Sequence, residues 1–213
     1  MSILVIHYFF FVAITVEAMT AALSAGRRSM DWFGVAMLGS ITALGGGSIR
    51  DVLLGHYPLT WVAHPHYLFI TCGAALATIP LARFMPHLRR LFLLLDAIGL
   101  AVFTVIGCNV ALEMGQPVIV VIVAGMITGC LGGVLRDILC NEIPLLFRSE
   151  LYASVSIVTG GLYLGGLQAG LPHDPVMLGA MAVGLTLRLL ALRYGWNMPK
   201  FVYAGDLHAR DGK

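Results

Sequence analysis

Long apolar segments recur along the chain, and they constrain its fold more than any other feature. Short stretches rich in Gly, Pro, Asp and Arg separate segments of about 20 apolar residues, the length that a helix needs to cross a bilayer. Only 11% of the residues are charged and the mean hydropathy is +0.89, whereas soluble domains carry about 25% charged residues. The sequence therefore predicts an all-α integral membrane protein with seven transmembrane helices: 3–25, 33–54, 66–84, 91–112, 117–140, 150–170 and 175–194.

Arginine and lysine are distributed unequally among the loops between these spans. The first, third and fifth loops carry arginine, as does the segment after the seventh span, whereas the second, fourth and sixth loops carry no Lys or Arg. Positive residues in short loops stay on the cytoplasmic side. We therefore expect the amino terminus outside and the carboxyl terminus in the cytoplasm. The net charge of +2 is too small to suggest a nucleic-acid partner.

Two stretches of the chain repeat one another: "GGGSIRDVLLGHYPLTW" and "LGGVLRDILCNEIPLLF". Aligning Gly46 with Gly132 gives an offset of 86 (132 − 46 = 86), which also aligns the two Arg-Asp pairs and the prolines that follow. Each repeat holds three spans, an odd number, so the second copy must enter the membrane from the opposite side. Inverted repeats of this kind are typical of transport proteins. The predicted organisation is a first repeat over 1–86, an inverted second repeat over 87–172, a seventh helix over 173–195 and a cytoplasmic tail over 196–213.

Glycines cluster inside the second and fifth spans, as Gly45, Gly46 and Gly47 in one and Gly132 and Gly133 in the other. One interpretation is that they break the helices, so that freed backbone groups surround a site near the membrane midplane. The other is close helix packing, because small residues four apart let two backbones approach. The two interpretations are compatible: the spans would cross on the faces Gly39–Ala43–Gly47 and Gly125–Gly129–Gly133 while the glycines open the backbone.

Several charged residues lie within the predicted spans, among them two Arg-Asp pairs and two further acids, and each costs at least about 2.5–3.5 kcal/mol without a partner or water. Neighbours such as Arg50 and Asp51 project from different faces of a regular helix, so we expect them not to pair. The predicted orientation puts Arg136 in the same half as Glu17 and Asp96, and one of these acids is its expected partner. Such charges either tie the bundle together or line an aqueous path. The predicted permeation residues are Gly45, Gly46, Gly47, Gly132, Gly133, Arg50, Arg136, Asp51, Asp137, Glu17 and Asp96.

Enzyme chemistry finds little support in the sequence. The four cysteines fall in apolar segments without CxxC spacing, which is typical of small buried residues. We find no pattern of a nucleophile with a base and none of metal ligands. We therefore expect no catalytic residue, no metal and no cofactor.

The motifs "TALGGGSIRDVLLGHYPLTWV", "LDAIGLAVFTVIG" and "GGVLRDILCNEIPLLFRSELYA" closely resemble those of a known bacterial family. It is the glycine-transporter-domain family of YicG and YadS, inner-membrane relatives of the trimeric intracellular cation (TRIC) channels, and the segments "GHYPLTWV" and "AGRRSMD" are nearer to YicG. The resemblance implies a homotrimer in membrane lipid with a pore in each subunit, kinks at the glycine motifs, and permeation of K⁺ and other monovalent cations. Transport of glycine is the alternative, since paired arginines and acids would suit a zwitterion.

Overall fold

A computed structural model describes residues 2–82, 88–148 and 151–196, and these residues form helices and connecting turns without a β-strand. The predicted all-α class is confirmed. The predicted tail from residue 197 onward and the junction of the two repeats at 83–87 lie outside the described residues. The helices are α1 (Ser2–Arg27), α2 (Trp32–Leu54), α3 (Thr60–Ala63), α4 (His66–Ala82), α5 (Leu88–Glu113), α6 (Val118–Leu139), α7 (Leu145–Arg148), α8 (Tyr152–Gln168) and α9 (His173–Tyr194).

Five of these helices, α1, α2, α5, α6 and α9, are long and apolar enough to cross a membrane. The predicted spans 66–84 and 150–170 correspond to α4 and α8, which have 17 residues each. A helix of that length reaches about 26 Å, at the lower end of what spans a bilayer. The exact count of seven spans therefore stays a prediction. The short helices α3 and α7 were not expected, because their sequences read as turns.

The ends of α2 show how local sequence fixes a helix boundary. Asp31 precedes the first turn, and its carboxylate accepts a hydrogen bond from the Gly34 amide at 2.7 Å, as an N-cap residue does. The helix ends at Gly55, whose φ of 68° lies in the left-handed region that favours glycine. The capping carboxylate of Asp31 and the left-handed Gly55 thus mark the two ends of a largely apolar helix.

The helix bounds repeat with the same offset of 86 as the sequence. Helices α1 and α5 have 26 residues each and start at 2 and 88, and α4 and α8 start at 66 and 152. Helix α2 packs against α1, α4 and α6, and α5 packs against α1, α6, α8 and α9. These paired bounds support the predicted duplication.

Helices α2 and α6 meet where glycine leaves room for a backbone. A Cβ on Gly46 would overlap with the Thr128 carbonyl oxygen, and a Cβ on Gly132 would overlap with that of Thr42. Residues 42 and 128 are themselves related by the offset of 86, so the two contacts are reciprocal. Reciprocal contacts are what a two-fold relation requires, and they support the inversion of the second repeat, which stays a prediction.

The predicted interruption of these two helices is wrong, because α2 and α6 are helical throughout their glycine motifs. The intrahelical ladder satisfies the backbone groups that a break would expose, and the glycines serve helix packing instead. The predicted crossing faces are also wrong. Gly39 packs against Ala75 of α4, while Gly125 and Gly129 pack against Cys108 and Thr104 of α5.

We refer below to the end of the bundle where α2 and α5 finish as the cavity end, and to the end where α1 and α6 finish as the cluster end. At the cluster end, Arg28 after α1 and Glu142 after α6 form a salt bridge of 3.0 Å. The carboxyl-terminal ends of α1 and α6 therefore lie side by side.

Substituting alanine for Gly46 or Gly132 should destabilise the protein, because the added methyl group meets backbone atoms that cannot rotate away. Overpacking of this kind costs about 1–3 kcal/mol. We expect a lower apparent melting temperature of the purified protein in detergent. The matched control is Gly26→Ala in the last turn of α1, where a Cβ has no atom within 4 Å. Equal melting temperatures for the two variants would contradict the close crossing.

Candidate functional site

A cavity of about 450 Å³ opens at the cavity end, and Arg50 lines it. Helix α1 contributes Phe10 and α5 contributes Phe103, while Trp61 comes from α3. Glu113, at the end of α5, is an acidic group on the same wall. Gly47 and Thr128 also line the cavity, so it reaches down to the crossing of α2 and α6.

Arg50 is paired with its own neighbour, contrary to expectation. Its Nε and Nη2 atoms donate to Asp51 Oδ1 at 3.0 and 2.6 Å, and both residues are buried. The long arginine side chain lets the guanidinium curl back around the helix, so a difference in face between adjacent Cα atoms does not keep the two groups apart. Asp51 also pairs with His56 Nδ1 at 3.1 Å and accepts a hydrogen bond from the Thr60 hydroxyl at 3.1 Å.

A second arginine, Arg136, lies at the cluster end among three carboxylates. Its Nη1 atom donates to Asp96 Oδ1 at 2.9 Å and its Nε to Asp137 Oδ1 at 2.9 Å. The nearest oxygen of Glu17 is 4.0 Å from Nη1. Arg136 is 0% exposed. The predicted partnership with Asp96 or Glu17 is thus confirmed, with Asp96 the closer, whereas the expectation that neighbours do not pair is wrong here as well.

Each aspartate of an Arg-Asp pair also fixes the start of a short helix. Asp137 Oδ2 accepts a hydrogen bond from the amide of Leu145, the first residue of α7, at 2.9 Å. Asp51 Oδ2 does the same for Thr60, the first residue of α3. The paired motif therefore joins the end of a long helix to the helix that follows, which explains why α3 and α7 form in segments that read as turns.

Glu17 reaches the cluster because α5 has a glycine opposite it. A Cβ on Gly99 would overlap with the Glu17 carboxylate, and Gly99 lies three residues after Asp96 on the same face of α5. Thr20, one turn after Glu17, donates its hydroxyl to Glu17 Oε2 at 3.1 Å. Gly99 was not singled out in the sequence, although it stands beside Asp96 in the segment "LDAIGLA".

The two arginines occupy equivalent places in the repeats but have opposite surroundings. Offsets of 86 relate Phe103 to Glu17 and Asp96 to Phe10. The positions that supply acids to Arg136 therefore supply phenylalanines to the cavity beside Arg50. One repeat-related position is charged and closed, and the other is aromatic and open.

A third buried arginine, Arg188 of α9, was missed in the sequence. It is 0% exposed, and its guanidinium lies 4.6 Å from the centre of the Tyr152 ring. The signal was an arginine in the middle of an apolar span, in the segment "GLTLRLL". Tyr152 connects this arginine to the cluster, because the Cβ position of Gly133 is 3.4 Å from both the Tyr152 hydroxyl and Arg136 Nη2.

The remaining predicted glycines have different surroundings. A Cβ on Gly45 would meet the side chain of Leu135, whereas a Cβ on Gly47 would have only Arg50 Nη2 nearby, at 3.8 Å. Gly47 therefore borders the cavity and Gly133 borders the cluster. The structure brings four of the six predicted charged residues together at the cluster end, and it places Arg50 and Asp51 apart from them.

Removing the Arg136 side chain should destabilise the protein far more than removing an exposed arginine. Arg136→Ala leaves Asp96 and Asp137 buried without their cation, and breaking a buried pair costs about 3–5 kcal/mol. The control is Arg28→Ala, which breaks a pair of similar length whose side chains are 43% and 27% exposed, worth about 0–1 kcal/mol. Thermal unfolding in detergent measures both. Similar losses of stability for the two variants would refute a buried charge cluster.

Comparisons with known proteins agree with this arrangement. The family model described as "Glycine transporter" matches residues 7–83 and 93–168, one match in each predicted repeat. A UPF0126 membrane protein of Vibrio cholerae is 40% identical over 87% of this chain and 78% of its own length. The UPF0126 inner membrane protein YadS of Escherichia coli K12 is 37% identical over 93% of this chain and 97% of its own. The nearness to YicG stays a prediction.

Solved structures extend the similarity to the fold. A TRIC channel orthologue from Rhodobacter sphaeroides superposes with a TM-score of 0.87 at 32% identity, covering 90% of this chain and 99% of its own. A prokaryotic TRIC channel studied in 0.5 M KCl gives a TM-score of 0.85 at 28% identity, covering 92% and 99%. The chain therefore belongs to the glycine transporter family of UPF0126 membrane proteins and shares its fold with the bacterial TRIC channels.

Proposed function

We propose that this protein is a cation channel of the inner membrane and that each subunit conducts K⁺ and other monovalent cations through its own helices. One observation carries the proposal. The cavity beside Arg50 reaches the crossing of α2 and α6, and the charge cluster around Arg136 begins on the other side of that crossing. The solved structures that resemble the chain are described as cation channels, which supports the same assignment.

The proposed path enters at the cavity, whose floor includes Gly47 and Thr128. At the crossing, the Thr128 carbonyl oxygen packs against Gly46. Gly132 lies on the other side of the crossing, and the next residue, Gly133, borders the charge cluster. Thr42 Oγ1 is buried at this crossing and has no hydrogen-bond partner among the described residues. A polar group of this kind between the cavity beside Arg50 and the charge cluster is expected where ions pass.

Arginines beside a cation path need an explanation, and their pairing provides one. Asp51 neutralises Arg50, and three carboxylates surround Arg136. Because acids outnumber the arginine at the cluster, the potential there favours cations. The guanidinium then serves to hold the carboxylates in place.

Glycine transport is the second candidate, and one observation favours it. Arg50 and Glu113 line the same cavity, so a guanidinium and a carboxylate are both available to a zwitterion. The family model also carries the description "Glycine transporter". Against it, about 450 Å³ is far more space than glycine fills, and aromatic side chains form much of the wall.

We further propose a homotrimer with the cavity end outside and the cluster end in the cytoplasm. The trimer rests on the solved relatives, which are described as trimeric. The orientation rests on the arginines: Arg27, Arg28, Arg89 and Arg90 all lie at the ends of α1 and α5 that belong to the cluster end.

Flux through proteoliposomes tests the function directly. We expect K⁺ efflux, followed by a potential-sensitive dye, and no accumulation of labelled glycine by the same preparation. Glycine uptake without K⁺ flux would refute the channel and support the glycine transporter instead.

Filling the cavity from Gly47 should block this flux. Gly47→Leu adds a side chain where a Cβ meets only Arg50 Nη2, so the protein should fold and the K⁺ flux should fall several-fold. The matched control is Gly73→Leu on α4, at an exposed glycine whose Cβ has no atom within 4 Å. Size-exclusion chromatography checks the assembly of both variants. Equal K⁺ flux through the Gly47→Leu variant and the unmodified protein would show that the cavity is not part of the path.

Thiol labelling tests the orientation. In a variant without Cys72, Cys108, Cys130 and Cys140, a membrane-impermeant maleimide should label Tyr57→Cys, which is exposed at the cavity end, on cells with an intact inner membrane. Arg28→Cys at the cluster end should be labelled only after that membrane is opened. The reverse pattern would invert the proposed topology.

A further inference from the structure

We infer that the cluster around Arg136 holds one monovalent cation, bound by the carboxylates of Glu17 and Asp96. This inference rests on the proposed channel function and adds a specific ion-binding site to it. Buried charge, unpartnered atoms and the space left by glycine support it independently.

The first support is the balance of charge. Glu17, Asp96 and Asp137 contribute three carboxylates, all of them buried, whereas Arg136 and Arg188 contribute two guanidinium groups. The formal sum is one negative charge in a region closed to solvent. An uncompensated charge in such a region is costly, so one further positive charge, either a bound cation or a proton on one of the acids, must balance it.

Arg27 does not supply this charge. Its guanidinium packs on the Phe92 ring at 4.9 Å, while Arg136 packs on the same ring at 4.6 Å. Arg27 is exposed at the end of α1, however, and hydrogen-bonds Ser24. Because water screens an exposed charge, Arg27 contributes little to the balance inside.

The second support is an unpartnered carboxylate oxygen. Asp96 is 0% exposed, and its Oδ1 atom accepts the hydrogen bond from Arg136 Nη1. Its Oδ2 atom is buried and has no hydrogen-bond partner within the described ranges. Buried polar atoms are nearly always satisfied. A carboxylate oxygen left in this state beside a second carboxylate is a natural ligand for a hard cation.

Glu17 is held where it can share that ion. Its Oε2 atom faces Arg136 and Thr20, while its carboxylate lies directly over Gly99, one turn after Asp96 on α5. The two acids therefore converge on one face of α5 from two helices. Both use one oxygen toward Arg136.

The third support is room for water beside the acids. The absence of a side chain at Gly133 leaves a recess bordered by the Tyr152 hydroxyl and by Arg136 Nη2 at 3.4 Å from the Cβ position, and by Asp96 Oδ1 at 3.8 Å. Nη2 is itself buried without a partner among the described residues. A polar recess of this kind admits water, which would complete the shell of an ion that two carboxylates coordinate.

Cation-dependent stability tests the site. Purified protein is unfolded thermally in KCl, RbCl or N-methyl-D-glucamine chloride at equal ionic strength and pH. We expect K⁺ and Rb⁺ at ten times their Kd to raise the melting temperature by about 3–6 °C, and Asp96→Asn and Glu17→Gln to abolish the rise. Glu142→Gln, which alters a partly exposed acid at the same end, should keep it. Where Asp96→Asn fails to fold, Glu17→Gln decides the outcome.

Anomalous scattering from Rb⁺-soaked crystals locates the ion. A peak between Glu17 and Asp96 supports the inference. Equal melting temperatures in all three salts, together with no peak, would overturn it and assign the missing positive charge to a proton on one of the acids. A separate measurement of K⁺ flux distinguishes the two failures. Flux without a bound ion would refute only this ion-binding site, whereas an absence of flux would refute the proposed channel.

Discussion

A guanidinium group buried among carboxylates sets the constraint on which the rest of this structure depends. Arg136 is out of contact with water, and an isolated charge there would be prohibitively unfavourable. Its acids come from three helices: Glu17 from α1, Asp96 from α5 and Asp137 from α6 itself. Because Glu17 belongs to the first predicted repeat and Asp96 to the second, one set of ion pairs locks the two halves of the bundle together.

The same helical framework produces a different environment at its other end. Phe10 and Phe103 occupy the positions that correspond to Asp96 and Glu17, so Arg50 is left with its neighbour Asp51 and a cavity opens beside it. Helices with equivalent bounds build both ends, and side-chain differences make one end wide and aromatic and the other narrow and charged. A path between unlike ends is the physical basis of the proposed channel.

Close packing of α2 and α6 leaves little distance between the cavity and the charge cluster, because Gly47 borders the first and Gly133 borders the second. The glycines that suggested a broken helix remove side chains instead, so that each helix rests on the other's carbonyl groups at Gly46 and Gly132. An intact helix keeps its backbone groups satisfied inside the membrane. Any polarity along the proposed path must therefore come from side chains such as Thr42, Thr128 and the charge cluster.

The sequence by itself determined the helical class, the long spans, the repeated motifs at an offset of 86 and the meeting of Arg136 with Asp96 and Glu17. The length of the apolar segments indicates the helices, and the constant offset of 86 indicates the repeated motifs. The cost of an unpaired charge in the membrane indicates that Arg136 needs an acid beside it. The pairing of Arg50 with Asp51, the role of the glycines and the part of Gly99 and Arg188 depended on tertiary structure. A flexible arginine selects its partner in space, and a glycine acts through whichever atom faces its missing side chain. The partner of the arginine and the contact of the glycine are therefore set only when the helices pack.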